Sequence, residues 1–235
     1  MRCAVLQPMY IPWRGVFHQM QKVDLFVHYD DVQYERGGWQ NRNRVKRPGG
    51  VGWLTIPVTR KGHLERSLAI GDVRISAHED WASKHWNVLR ESYAEAPYWE
   101  TYSDLLRAHY ASPPQRLVDF TIPLLEAVAH ELGIKTRFLR ASELGVSGAK
   151  TDRLLAVLEA VGARHYLSGP AAKAYLDEPL LADRGISVEY MTYDYPAYPQ
   201  LHGEYDPAVS IVDLLFMTGP AAGAHIWGDL ATTPG

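Results

Sequence analysis

The sequence predicts a mixed α/β fold built on a mostly parallel sheet. Three observations carry this. An apolar run at 3–6 (CAVL), a helix-like stretch at 14–22 and a β-rich run at 24–29 (DLFVHY) make a compact βαβ unit. The strand–helix alternation returns after residue 134. Between the two halves, residues 79–132 carry helical spacing of apolar residues, which reads as a helical insertion.

The first strand stops at Gln7-Pro8, where proline forbids its continuation. The helix at 14–22 turns Val16, Phe17 and Met20 inward. The second strand ends near Asp30, and residues 30–52 read as a long polar, glycine-rich loop. Loops of that length inside a domain are usually functional or disordered, and the Trp, Asn and Arg content here argues against plain disorder. Residues 53–58 (WLTIPV) resume a strand, and 71–75 are a candidate for another. In the helical insertion, Pro97 and Pro113-Pro114 separate three helices, and Gly133 suits the end of the third. Strands are expected at 135–140, 165–167 and 186–192, helices at 150–161 and 207–217, and a partly loose tail at 218–235. The whole chain, 1–235, is expected to form a single α/β domain with a helical subdomain at about 79–132.

Composition narrows the function. The net charge of -3 argues against general nucleic-acid binding, which wants a basic face. Cys3 is the only cysteine, so neither an intrachain disulfide nor a thiolate zinc cluster can form. No run approaches the ~18 to 20 apolar residues of a membrane span, and the N-terminal apolar run is too short for a signal peptide. A cytoplasmic location is the expectation, with no membrane partner.

Five stretches hold residues of chemical interest. In Gln7–Gly15 (QPMYIPWRG), two prolines stiffen the backbone and Gly15 permits close approach at a helix start, with Gln7, Tyr10 and Trp13 as candidate binding residues. Such a turn can cradle an anion or simply be a rigid βα corner plugged by Trp13. Asp30, Asp31 and Gln33 follow the second strand. Paired carboxylates can hold Mg²⁺ or accept from hydroxyls and amines, or one can cap a loop. In Trp39–Lys46 (WQNRNRVK), an extended chain would put Asn41 and Asn43 on one side and Arg42, Arg44 and Lys46 on the other. A row of cations suits phosphate or carboxylate, or else blunts a strand edge. Ser168 lies where a strand turns toward a helix and could contact ligand or cap that helix. It lacks the G-x-S-x-G of a nucleophile elbow. Last, Tyr198–Gly203 (YPQLHG) offers Gln200 as a binding residue and His202 as acid or base, in a loop rich in aromatics. No H-E-x-x-H or comparable metal signature is present.

The joined text QPMYIPWRG, DLFVHYDDVQY and WQNRNRVK, continued by SELGVSGAKTDRL at 142–154, YLSGPAAKAYLDE at 166–178 and YPQLHGEYDPAVSIVDLLF at 198–216, resembles the WbqC-like family over nearly the whole chain. The resemblance implies a biosynthetic setting: O-antigen and other surface-polysaccharide gene sets, or specialised-metabolite (antibiotic-type) pathways. A strand, P-x-x-x-P-W-x-G, a helix and a strand ending in Asp also resemble the start of the nucleotidylyltransferase and class I synthetase superfamily. The H-x-G-H of that superfamily is replaced here by Trp13-Arg14-Gly15-Val16, and His18 lies a turn further on.

Three functional expectations follow. The first is a transferase moving an acyl or aminoacyl group from a thioester carrier, such as an acyl carrier protein, to a small-molecule amine or amino sugar. The cations would hold the anionic donor, His202 or Asp31 would take the proton, and Cys3 would be a small strand residue rather than an acyl carrier. The second is a nucleotide-dependent enzyme with Mg²⁺ at Asp30 and Asp31. The third is a non-catalytic pathway-assembly protein.

Overall fold

Alternation of buried residues sets the two faces of the central sheet. In β1 (Arg2–Leu6), Cys3 and Val5 join one apolar cluster while Ala4 joins another. In β2 (Leu25–His28), Leu25 and Val27 point to the first cluster and Phe26 to the second. Burial on both faces is what a parallel sheet covered by helices requires. The described residues of this computed structural model are 1–59 and 68–228.

The helix α1 (Arg14–Gln21) returns the chain from β1 to β2, which pair in parallel from Cys3 opposite Leu25 to Leu6 opposite His28. Next comes an antiparallel hairpin, β3 (Arg42–Arg47) and β4 (Gly50–Thr55), turning at Pro48-Gly49. Three helices follow: α2 (Trp81–Tyr93), α3 (Trp99–Ala111) and α4 (Leu117–Glu131). The chain then re-enters the sheet as β5 (Arg137–Arg140), crosses by α5 (Lys150–Ala160) to β6 (His165–Ser168), and by α6 (Glu178–Asp183) to β7 (Ser187–Tyr190). A long strap, 191–210, leads to α7 (Ile211–Thr218) and the short α8 (Ala224–Trp227).

The five strands lie in the order β5-β2-β1-β6-β7, all parallel. The crossover α1 runs outward on one face and α5 on the other, as their core clusters show. The order reverses between β1 and β6, and in such sheets the crevice at the carboxyl ends of that pair is where ligands commonly bind.

The expected βαβ start, the parallel sheet and the helical insertion are all present. Two expectations are corrected. Residues 30–52 are not one loop, because Arg42–Arg47 pair with Gly50–Thr55. The strand expected at 53–58 therefore begins three residues earlier. Residues 71–75 add no strand. Ile70–Asp72 form a 3-10 turn, with single bridges from Arg74 to Arg116 and from Ile75 to Val58. The described part of the tail is folded: Gly219–Gly223 is a 3-10 turn and α8 buries Ile226, while 229–235 lie outside the described residues.

The insertion shares the larger apolar cluster with the sheet, and polar relays lock it there. The Tyr10 hydroxyl is 2.9 Å from His85 Nδ1 and also bonds the Tyr110 hydroxyl. Tyr10 is fully buried. Burial pushes the His85 pKa down to about 4, against a backbone hydrogen bond with Thr55. With the ring neutral, Nδ1 accepts from Tyr10, and Tyr10 oxygen accepts from Tyr110. Burial pushes His18 down to about 4 as well, helped by the Lys22 charge.

Both rings take a proton more readily in the unfolded chain, near 6.5, than in the fold. Stability should therefore be greatest above pH 6.5 and fall as the pH drops toward about 4. Urea unfolding followed by tryptophan fluorescence between about pH 7 and pH 5, where carboxylates barely titrate, measures this. His85→Phe should flatten the slope, and a flat wild-type profile would refute the neutral, buried ring.

Candidate functional site

The loop after β1 and the hairpin form one unit. Gln7 accepts a hydrogen bond from Gln40 Nε2 at 2.6 Å. The Tyr10 backbone N–H donates to Trp39 O, and Asn43 Nδ2 donates to Tyr10 O at 3.0 Å. Asn41 Nδ2 donates to Ile56 O at 2.8 Å. Tyr10, Asn41 and Asn43 thus turn inward and hold the two loops together rather than line an open cavity. Trp13 lies against Gly15 so closely that a Cβ there would sit 2.3 Å from the indole. Tyr193 and Tyr195 pack edge-on to Trp13. The amino end of α1, where an anion could rest on free amides, is therefore roofed by aromatic rings.

Arg14, the first residue of α1, is buried and has no carboxylate partner among the described residues. Its guanidinium donates to the carbonyls of Pro196 and His225, both at 2.9 Å, and to the Tyr205 hydroxyl at 2.6 Å. It also lies 4.6 Å from the centroid of the Tyr195 ring. Three carbonyl and hydroxyl oxygens and an aromatic face replace a counterion and tie the 191–210 strap to the sheet.

At the carboxyl end of β2 the two aspartates are engaged separately. Asp30 accepts from Ser142 N at 3.0 Å and Ser142 Oγ at 2.7 Å. Asp31 pairs with Arg153 of α5 and leaves Oδ1 buried without a partner. Ser142 holds both oxygens of Asp30 and Arg153 holds one of Asp31, so only Asp31 Oδ1 is left to a cation. Among the described residues no group of three His, Cys, Asp or Glu side chains is placed to hold a metal. Ser168 is buried at the end of β6, its hydroxyl 3.3 Å from that of Tyr166. Gln33 is exposed and bridges Ala69 through its backbone.

An open cavity lies elsewhere, between the hairpin and the strap. It holds about 610 Å³ and is lined by Lys46, Val51, His202, Glu204, Tyr205 and Asp206, with glycines between them. His202 has φ 62 and Gly203 φ 88, two successive left-handed residues that present the ring. Histidine tolerates that conformation better than most non-glycine residues, yet it still carries some strain, a feature concentrated at functional loops. His202 Nε2 is 2.7 Å from Ser92 O. A carbonyl can only accept, so Nε2 carries a proton, and the lone pair of the neutral tautomer lies on Nδ1.

Behind the cavity sits Asp213, fully buried in the first turn of α7. The Tyr93 hydroxyl donates to it at 2.9 Å and in turn accepts from the Lys46 backbone N–H at 3.0 Å. Burial pushes the Asp213 pKa up, and the hydroxyls of Tyr198 and Tyr93, the Gln200 amide and the Lys46 charge pull it back. The Lys46 ammonium donates to Glu204 O. Gln200 donates to Asp206 O at 3.0 Å and accepts from its N–H at 2.8 Å, shaping the strap around His202. Arg44 reaches Ala208 O at 3.0 Å and Asp206 at 3.7 Å. Arg42 bonds Gly37 O and lies over Trp53, which Trp39 also packs against.

The structure thus brings Lys46 and His202 to one cavity, with Arg44 and Gln200 supporting its wall. Trp39 and Arg42 lie on the hairpin surface. Gln7, Tyr10 and Trp13 fasten the loop above α1, while Asp30 and Asp31 sit with Ser142 and Arg153. The sequence reading missed Tyr93 and Asp213, and it gave Arg14 and Tyr205 no role of their own. Asp213 had one signal: a lone carboxylate inside the apolar run SIVDLLFM.

A family model described as the WbqC-like protein family matches residues 7–225. The chain is 38% identical over 223 residues to Uncharacterized protein Rv1507c of Mycobacterium tuberculosis, covering 94% of this chain and 95% of that protein. No solved structure matches.

Asp213→Asn keeps the shape of the side chain but removes the anion facing Lys46 and Tyr93. Because burial raises the Asp213 pKa, the ionised carboxylate is itself costly in the fold, so Asp213→Asn should lose no more in urea unfolding than Tyr93→Phe, about 1 kcal/mol. A loss several times larger in Asp213→Asn would mean that the charge stabilises the fold.

Proposed function

The chain belongs to the WbqC-like protein family, and we propose that it is a biosynthetic transferase. It moves an acyl or aminoacyl group from a thioester donor, carried on an acyl carrier protein, to a small-molecule amine or amino sugar. The pathway is surface-polysaccharide or specialised-metabolite biosynthesis, and the location is cytoplasmic, where such carriers work. Among the described residues, no helix is long and apolar enough to cross a membrane.

One observation carries this reading: His202 is an oriented base on a strained loop, lining an open cavity. The acceptor nitrogen attacks the thioester carbonyl carbon, and a C–N bond forms. His202 Nδ1 takes the proton that nitrogen must lose. The tetrahedral intermediate collapses, the C–S bond breaks, and the leaving thiolate takes the proton back from the imidazolium. The Ser92 carbonyl keeps Nε2 protonated throughout and so fixes which nitrogen reacts. No covalent enzyme intermediate is required. Cys3 supports none, since it is fully buried and burial pushes its thiol up to about 12.

A second reading rests on the strand order, whose reversal between β1 and β6 favours a nucleotide at that crevice. It predicts ATP consumption with pyrophosphate release. A third reading, pathway assembly without catalysis, predicts that His202→Ala leaves the pathway product unchanged.

Purified protein, carriers loaded with acyl and aminoacyl groups, and a panel of amines should give an amide detectable by mass spectrometry. His202→Ala should lower kcat/KM by about 10²–10⁴-fold with little change in melting temperature. Turnover of a nucleotide with no product from any carrier would overturn the proposal.

A further inference from the structure

The outer face of the β3–β4 hairpin is out of keeping with the rest of the surface. Register puts Arg42 opposite Thr55, Arg44 opposite Trp53 and Lys46 opposite Val51. Residues paired this way share a face. The opposite face, with Asn43, Val45 and Leu54, is buried in the core. The outer face therefore sets Arg42 and Arg44, both partly exposed, and Lys46, buried where its ammonium bonds the strap, beside a row of Thr55, Trp53 and Val51. Trp53 is 46% exposed and Val51 40%, and Trp39, also 46% exposed, packs against Trp53 with ring centroids 5.5 Å apart. These are three of the five large hydrophobic side chains left exposed among the described residues. An exposed apolar cluster rimmed by charge marks a surface that another molecule covers.

The shape and charge of the face select its occupant. A two-stranded ribbon presents an open surface, whereas small ligands take concave sites. Tryptophan and arginine are the side chains that most often anchor protein interfaces. Residues 33–55 hold five Lys and Arg against one acidic residue, in a chain whose net charge is -3. A partner that complements this face is acidic. Extended nucleic acid would want a basic surface far wider than one hairpin. The two rows also run into the cavity, because Lys46 and Val51 line it. From Thr55 to Val51 is four strand residues, about 13 Å, the reach of a flexible arm from a partner seated on the tryptophans.

We propose that this face docks an acidic carrier protein, whose thioester arm runs along the hairpin to His202. The proposal rests on the thioester reading above and adds the surface that chooses the donor.

The test uses a purified acyl carrier protein bearing its phosphopantetheine arm, and an N-acetylcysteamine thioester as a donor with no protein attached. Binding of the carrier should weaken at least tenfold in Trp53→Ala and in Arg42→Glu, and should weaken as salt is raised. Trp53→Ala should turn over the N-acetylcysteamine thioester as the wild type does, while losing turnover of the carrier-bound donor. Absence of carrier binding, or equal binding by wild type and Trp53→Ala, overturns the docking surface and leaves the chemistry standing. A single-stranded RNA oligonucleotide that binds with the same Trp53 dependence overturns it in favour of nucleic acid. If neither thioester reacts, the transfer reading fails, and the binding assay still decides the surface on its own.

Discussion

The architecture around the cavity depends on one buried carboxylate. Asp213 has no exposed surface, and an anion so placed is tolerable only when donors surround it. Its one hydrogen bond among the described residues comes from the Tyr93 hydroxyl at the end of α2, and Oδ1 finds no partner there. Tyr198 and Gln200 of the strap and the Lys46 charge of β3 also favour its ionised form. Asp213 is therefore the point at which the helical insertion, the hairpin, the strap and α7 meet. The wall of the cavity is the outer side of that junction.

Arg14 does the same work with the opposite charge. Among the described residues it has no acid to pair with, and it gathers carbonyls from Pro196 and His225 and the hydroxyl of Tyr205. The strap is thereby fastened at one end by a buried cation and along its middle by a buried anion. A segment of 20 residues without regular structure, 191–210, would otherwise sample many conformations at large entropic cost. Its fixed path is what allows His202 to keep a left-handed backbone and a single ring orientation.

These two charges also mark where the sequence was readable and where it was not. The sheet and the insertion could be read because burial leaves a periodic trace, as in Cys3–Val5 against Leu25–Val27 and in the apolar spacing of α2 to α4. The hairpin was hidden because its inner face is filled by Asn43 as well as Val45, so alternation of apolar and polar residues is lost; Pro48-Gly49-Gly50 was the surviving signal of its turn. His202 was legible as a loop histidine beside glycine. Its partner Ser92 was not, being 110 residues away and bonded through its backbone carbonyl, which has no residue-type signature. The inward turn of Tyr10 and the separate engagement of Asp30 and Asp31 were equally invisible. Loop residues of the same types either face a ligand or hold the loop, and only tertiary contacts decide which.

The division of labour between the two ends of the strap bears on the reaction. In doubly wound sheets the helix that follows the first strand commonly offers its amino end to an anion. Here Trp13 lies over Gly15, and Tyr193 and Tyr195 seal the indole in place. The helix dipole is still present but faces aromatic carbon, so it cannot stabilise charge developing in a transition state. The cavity at His202 is lined by Glu204 and Asp206 as well as Lys46, and Asp213 lies behind it. Such a site is poorly suited to stabilising a multiply charged phosphate in flight. It suits a step in which one proton moves between nitrogen, imidazole and sulfur, and in which the anionic part of the donor stays outside, on the cationic row of the hairpin.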